Sequence, residues 1–301
     1  MQAGGYGMSE VDPKVAETIA FQGAPGAYSD MSCREVFPDM RTLPCKTFTD
    51  AFVAVSDGSA RLAMIPIENS VAGRVADIHQ LLPESDLHII AEHYQPVHHQ
   101  LLACKGVTAS ELKIVRSHVH ALSQCRNVIK RLGLNAIVHA DTAGAAGEIA
   151  KLGDPTIAAI ASDLAADIYG LEVIEAGVED EAHNTTRFVV LAKEAIDPSP
   201  VNGPVVTSFV FHVRNVPAAL YKALGGFSTN GVNMTKLESY MVGGKFTATQ
   251  FFAEVEAHPS ERRLQLALEE LAFFTSEVNI MGVYPAHPFR VKSAAKSDNN
   301  I

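Results

Sequence analysis

Five times between Thr18 and Ser162 a short apolar run ends in polar or glycine residues that open a helical stretch, and this repetition constrains the fold more than any other feature of the chain. Strands alternating with helices predict an α/β sheet from Glu17 to about Val178. The candidate strands are Thr18–Phe21, Thr42–Cys45, Leu62–Ile65, His88–Leu102, Lys113–Arg116, Ala136–His139 and Thr156–Ala161. The first, third, fifth, sixth and seventh lead into Gly23-Ala-Pro-Gly-Ala-Tyr-Ser, Glu68-Asn-Ser, Ser117-His, Asp141-Thr and Ser162-Asp. In open α/β sheets ligands gather at the carboxyl ends of strands, where Ser, Thr, Asp and Asn also cap helices whose N–H groups attract anions. Each polar strand end therefore has two readings, a cap or a ligand contact, and position alone leaves both open.

The segment His88–Cys104 is too long for one ordinary strand and carries Pro96 at its middle, which predicts a passage from one lobe to another. A return near Leu171–Val178 would leave a cleft between the lobes, the usual place for a small ligand. At roughly 150 residues per domain, 301 residues suggest two domains. Residues Glu194–Pro204, rich in Pro, Asn and Gly, read as a linker. Beyond it Val205–Val213, Pro217–Phe227, Val232–Tyr240, Phe246–Val255, Ser260–Phe273 and Val278–Tyr284 follow the order βαββαβ, a ferredoxin-like plan. The expected boundaries are a tail at 1–15, a first domain at 16–194 (one lobe about 16–92 and 176–194, the other about 93–175), a linker at 195–204, a second domain at 205–287 and a tail at 288–301.

Charge and composition remove several functions. With 24 Lys and Arg against 34 Asp and Glu, the net charge of −10 argues against a nucleic-acid partner, while leaving a small anionic ligand open because a pocket field is local. Apolar runs such as Thr156–Ala161 fall far below the roughly 20 residues of a membrane span, so no membrane partner is expected. Met1–Lys14 lacks the basic start and apolar stretch of a secretory signal, which predicts a cytoplasmic protein. Cys33, Cys45, Cys104 and Cys125 form no Cys-x-x-Cys pair, and Cys125 has no activating neighbour in sequence. His98-His99 and His118-x-His120 sit in strand-like or loop sequence where neighbouring side chains diverge, so no metal is expected.

Two motifs stand out. Gly23-x-x-Gly26-x-Tyr28-Ser29 follows a strand and opens a helix, as an anion-binding loop or a tight turn would, without the glycine spacing of a dinucleotide site. Asn184-Thr185-Thr186-Arg187-Phe188 puts an amide, two hydroxyls and a guanidinium at the start of the apolar Val189-Val190-Leu191 strand; Arg offers a fork for a carboxylate and Thr a hydroxyl donor, though β-branched residues also simply favour strands.

Taken in order, Gly23-Ala-Pro-Gly-Ala-Tyr-Ser, Pro66-Ile-Glu-Asn-Ser, Ser117-His…Ala121-Leu-Ser-Gln-Cys125, Asp141-Thr-Ala-Gly-Ala-Ala146, Ala158-Ala-Ile-Ala-Ser162 and Asn184-Thr-Thr-Arg-Phe188 resemble the motif set of prephenate dehydratase. The βαββαβ region resembles the ACT regulatory domain attached to that enzyme, with Glu238-Ser239 at its Glu-Ser motif. With no chorismate mutase segment ahead of Thr18, the likeness is to the monofunctional form. The resemblance implies a two-lobed, periplasmic-binding-protein-like catalytic domain with an inter-lobe cleft. It also implies cofactor-free conversion of prephenate to phenylpyruvate, CO2 and water on the way to phenylalanine.

It implies Thr186 as donor to the departing hydroxyl, and Asn69, Ser70, Ser117, Gln124, Thr142, Ser162, Arg187 and Phe188 around the substrate, Arg187 either meeting a carboxylate or bracing the cleft from behind. For the ACT region it implies allosteric inhibition by L-phenylalanine at Pro217, Ala218, Ala219, Leu220, Asn233, Glu238 and Ser239. It further implies a homodimer or homotetramer paired through these domains. The family's Gly-Ala-Leu reads Pro217-Ala218-Ala219-Leu220 here, and its Glu-Ser-Arg-Pro reads Glu238-Ser239-Tyr240-Met241. Arogenate dehydratase, with the same chemistry, and a non-catalytic amino-acid sensor are the alternatives.

Overall fold

The computed structural model describes residues 17–181, 183–214, 216–241 and 248–290. The tail at 1–15, the residues from 291 onward and the expected strand start at Phe246 lie outside them. The first sheet holds β1 (Thr18–Gln22), β2 (Arg41–Cys45), β3 (Leu62–Asn69), β4 (Gly73–Arg74), β5 (His88–Pro96) and β11 (Thr185–Ala192) in the order β2-β1-β3-β11-β5, with β4 beside β3. Helices α1 (Tyr28–Val36), α2 (Phe48–Ser56) and α3 (Ile78–Glu84) flank it.

The second sheet is built from β6 (Gln100–Ala103), β7 (Ile114–Ser117), β8 (Asn135–Val138), β9 (Ile157–Ala161) and β10 (Glu172–Glu175), in the order β10-β6-β9-β7-β8. Helices α4 (Val119–Gln124), α5 (Arg126–Leu132), α6 (Thr142–Leu152) and α7 (Asp163–Tyr169) accompany it. The chain crosses between these sheets at 97–99 and returns between β10 and β11, so the α/β region has two lobes. The stretch His88–Cys104, expected to pass from one lobe to the other, is accordingly two strands in different sheets.

The third sheet comprises β12 (Val205–Val213), β13 (Met234–Met241), β14 (Ala248–Val255) and β15 (Thr275–Pro285), with α8 (Ala219–Thr229) and α9 (Arg262–Phe274). Its antiparallel order β13-β14-β12-β15 completes the ferredoxin-like βαββαβ plan. One face, with Phe209, Phe211, Phe251 and Ala253, packs on Ala223, Phe227, Leu264 and Ala267 of the helices. The other, with Val206, Val210, Phe252 and Tyr284, shares a core with Ile65, Ile89, Val189 and Leu191 of the first sheet. A Cβ at Gly282 would collide with the backbone of Ile89, so glycine is what lets β15 rest directly on β5.

Two local expectations change. Glu68-Asn69-Ser70 does not open a helix: β3 runs through Asn69, whose Oδ1 accepts from the N–H groups of Val71 (3.0 Å) and Ala72 (2.7 Å), and this side-chain turn reverses the chain into β4. The helix expected from Pro217 begins at Ala219, because Ala218 stands in the left-handed region at φ +61° and a turn closes from Ala219 N–H to Val216 O.

Candidate functional site

The site grows out of the pairing of β3 with β11. Thr186 lies opposite Asn69 and Arg187 opposite Glu68. Since successive strand residues point to opposite faces, the first pair turns into the inter-lobe cleft and the second toward the βαββαβ domain. Asn69 is held in one orientation by its two backbone donors, leaving both Nδ2 hydrogens to give: one to Asn184 Oδ1 (2.7 Å), one to Thr186 Oγ1 (2.9 Å). Thr186 oxygen therefore accepts, and its own hydrogen is left to point into the cleft.

The same logic runs outward from Asn184. Its Nδ2 donates to Gln124 Oε1 (2.8 Å), which also lies 3.2 Å from His99 Nε2. An amide oxygen can only accept, so His99 carries its hydrogen on Nε2 and turns a bare Nδ1 to the Tyr28 hydroxyl at 3.0 Å, whose single hydrogen is shared between that nitrogen and His98 O at 2.8 Å. Burial lowers the His99 pKa against the opposing bond from Gln124, which keeps the ring neutral, and burial foremost, then Glu179, holds the Tyr28 phenol well above its usual range. A continuous network of fixed amides and rings thus links the second lobe to Thr186.

These groups border a cavity of about 540 Å³ lined by Tyr28, Asn69, Gln124, Thr142, Thr186 and Phe188, and by the 72–77 segment around β4. Thr142 opens α6 beside Asp141, whose carboxylate caps the helix at Gly144 N–H. Among the described lining residues Arg74 is the one Arg or Lys, and its guanidinium is bonded to Glu238.

Four expected substrate contacts sit elsewhere. Ser117 is fully buried and donates to Ile160 O (2.6 Å). Ser162 caps α7 through Ala165 N–H (3.1 Å) and bonds Gly26 O, tying the glycine loop to the second lobe. Ser70 donates to His183 O and accepts from Thr185 N–H, both at 2.9 Å, stapling the hairpin to the entry of β11. Arg187 is 3% exposed and spreads its fork over Glu92, Glu68 and Glu254, each at 2.8 Å, with Tyr284 hydroxyl at 3.1 Å. It braces the cleft from behind and is not among the described residues that line the cavity. Burial opposes its charge, and Glu254, Tyr284 and Glu92 more than offset that; in turn Arg187 and Arg290 hold buried Glu254 below the usual carboxylate range. The glycine loop likewise serves packing: a Cβ at Gly26 would lie 2.7 Å from Ala165 Cα.

The expected allosteric residues do not converge within one chain. Strand register aligns Thr207, Val255 and Met234 at one end of the third sheet and His212, Gln250 and Tyr240 at the other. Pro217 to Leu220 follow β12 at the second end, whereas Asn233 precedes β13 at the first and donates to Glu256 (2.7 Å). Glu238 faces Arg74 of the first domain, and Ser239 is exposed.

Sequence reasoning passed over Tyr28, His99 and Asn184 as site residues. Tyr28 and Asn184 stood inside the two singled-out motifs, whereas His99 was weighed only as a metal ligand. Among the described residues no group of three His, Cys, Asp or Glu side chains is placed to hold a metal ion, and burial pushes the Cys125 thiol up.

A family model described as prephenate dehydratase matches residues 19–196. The chain is 51% identical over 274 residues, 91% of its length and 98% of the other's, to a protein of Komagataeibacter europaeus named bifunctional N-acyl-homoserine lactone acylase/prephenate dehydratase. It is 38% identical over 294 residues, 93% of its length and 74% of the other's, to arogenate dehydratase/prephenate dehydratase 1 of Arabidopsis thaliana. Among solved structures, prephenate dehydratase of Arthrobacter aurescens in complex with L-Phe superposes with a TM-score of 0.82 at 26% identity, covering 94% of this chain and 98% of that one.

Proposed function

Because the chain belongs to the prephenate dehydratase family, we propose that its cleft carries out the decarboxylative dehydration of prephenate to phenylpyruvate, CO2 and water. In that reaction the bond from the ring to its carboxylate breaks, its electron pair enters the ring, and the ring C–O bond breaks as hydroxide takes a proton and departs as water. The observation that carries the reading is the Asn69 to Thr186 hydrogen bond, which makes Thr186 a donor toward the cleft. A hydroxyl there assists a poor leaving group, while Gln124 and Thr142 supply neutral donors for the substrate's oxygens. A cleft bordered mainly by uncharged donors suits a substrate whose ring carboxylate must become neutral CO2, because clamping it by charge would stabilise the ground state.

The βαββαβ domain is, in this reading, an ACT domain that binds L-phenylalanine and pairs the chain into a dimer or dimer of dimers. Its support is the strand order and the L-Phe complex of the Arthrobacter enzyme. Arogenate, the amino-acid form of the same ring, is the second substrate to test, given the plant relative's name. An acylase, the other activity in the Komagataeibacter relative's name, calls for an activated nucleophile; among the described residues Ser29, Thr142 and Thr186 of the cleft make no hydrogen bond to a histidine, which favours the dehydratase. The deciding experiment incubates purified protein with prephenate and with arogenate and follows product absorbance. Phenylpyruvate or phenylalanine is expected, and neither product appearing would overturn the reading.

A further inference from the structure

The strand pair β3 and β4 forms a hairpin whose two sides meet different domains. On its cleft side lie Asn69, Ala72 and Gly73, and the chain continues along the cavity wall to Asp77. On its other side Glu68 faces β13, and its cross-strand neighbour Arg74, which also borders the cavity, sends its guanidinium to β13. Three alternate residues of β13, which the period of a strand places on one face, each grip the hairpin. Lys236 Nζ bonds Glu68 Oε2, Glu238 Oε2 accepts from Arg74 Nη1 (3.3 Å), and the Tyr240 ring lies 5.3 Å beneath the Arg74 guanidinium. The same Arg74 nitrogen also donates to the carbonyl of Ser239 (3.3 Å).

We propose that this hairpin is the element through which the βαββαβ domain sets the shape of the cleft, and that Arg74 is its positioning residue. The proposal rests on the reading of the cleft as the substrate site. Glu68 and Asn69 are consecutive, so gripping the first toward β13 fixes the second where it donates to Thr186. Arg74 performs the same service for the opposite limb, whose continuation forms the cavity wall. Both limbs are thereby fastened to one edge strand of the second domain, and any ligand or partner that moves β13 must pull on the wall of the cleft. Glu68 is also held by Arg187 (2.8 Å) from within the first domain, whereas the grip on Arg74 comes from β13. The second limb is therefore the one that depends on the neighbouring domain.

Amide hydrogen exchange of peptides covering 70–77, measured on the full chain, tests the strap without any need for turnover. Arg74→Gln and Glu238→Gln should each speed exchange there by about 10-fold while leaving the β9 and α6 peptides unchanged, and Arg74→Lys should restore part of the protection. In steady-state assays with whichever ring substrate is turned over, both variants should raise KM by about 5-fold or more with a smaller change in kcat, since a misplaced wall weakens binding before it touches the Thr186 donor. Unchanged exchange at 70–77 in both variants would overturn the proposal, and so would faster exchange with KM unmoved in an active enzyme. A protein that dehydrates neither substrate would refute the functional reading, while the exchange arm still decides the strap.

Discussion

At the scale of single residues, the cleft separates a donor from its supports. Thr186→Ala should lower kcat by about 100-fold or more with normal folding, the loss anticipated for a group bonded to the leaving oxygen in the transition state, and Thr186→Ser should keep more activity. Thr185→Ala is the milder control, because its side chain lies on the other face of β11; equal losses from the two alanine variants would refute the assignment. His79 makes a different prediction. Its ring is 2% exposed, stacks on Tyr240 at 4.9 Å and has no partner for either nitrogen among the described residues. Burial foremost, then Lys236 and Arg74, lowers its pKa to about 4, with Glu68 and Glu254 acting the other way. Above about pH 6.5 folded and unfolded forms are both neutral, and below it the unfolded ring takes a proton that the folded ring refuses until about pH 4. Stability from this group is therefore whole above pH 6.5 and falls through that window by about 1.4 kcal/mol per pH unit. His79→Phe should unfold at higher urea than the parent at pH 5, by roughly 2 kcal/mol, with a smaller gain at pH 7.5. Parallel pH dependences for parent and variant would remove the buried ring from the account.

At the scale of elements, backbone positions carry the predictions. Ala218 is the non-glycine residue at positive φ among the described residues, at a place where the resembled family has glycine. Ala218→Gly should relieve about 1 kcal/mol of strain and raise Tm by a few degrees. Gly282→Ala does the reverse: its methyl must push β15 away from β5, with an expected loss of about 2 kcal/mol or more in denaturant unfolding. A Gly282→Ala protein as stable as the parent would show that the two sheets do not press together there. Most elements were legible because their signals are local, such as Asp141-Thr142 opening α6 and Ser162-Asp163 opening α7. The β4 hairpin was not, because a side-chain turn at Asn69 imitates a helix cap in sequence. The docking of the third sheet also escaped notice, although Val205 to Phe211 is buried at every position, the mark of a strand covered on both faces. At the site, Thr186, Asn69, Gln124, Thr142 and Phe188 were readable from motifs. Which way Arg187 turned was not, since that depends on the long-range partners Glu92 and Glu254, 95 and 67 residues away.

At the scale of the whole molecule, the first sheet is a wall with chemistry on one side and a second domain on the other. Arg187, Glu68, Glu92, Glu254 and Arg290 join that wall to the second domain as one largely buried ion cluster, and the apolar core is continuous from Ile65 and Val189 to Phe252 and Tyr284. A chain cut near Lys193 would strand Arg187 without Glu254 and uncover that core, so association has to be tested in the intact protein. The geometry of the third sheet then constrains how L-phenylalanine could bind. Pro217 to Leu220 and Asn233 stand at opposite ends of that sheet, about 20 Å apart at 3.3 Å per strand residue, and Glu238 is engaged by Arg74. One chain cannot close these residues around one amino acid. A two-fold neighbour laid along edge strand β13 would bring the 217–220 turn of one copy to the opposite end of the other, where Asn233 is exposed. Phenylalanine binding should therefore be linked to association, with apparent affinity rising with protein concentration and light scattering showing larger species at saturating ligand. Calorimetric titration across a 50-fold range of protein concentration, on the order of what such linkage needs to show, checks this, and one phenylalanine bound per chain by a species that scatters as a monomer would refute it.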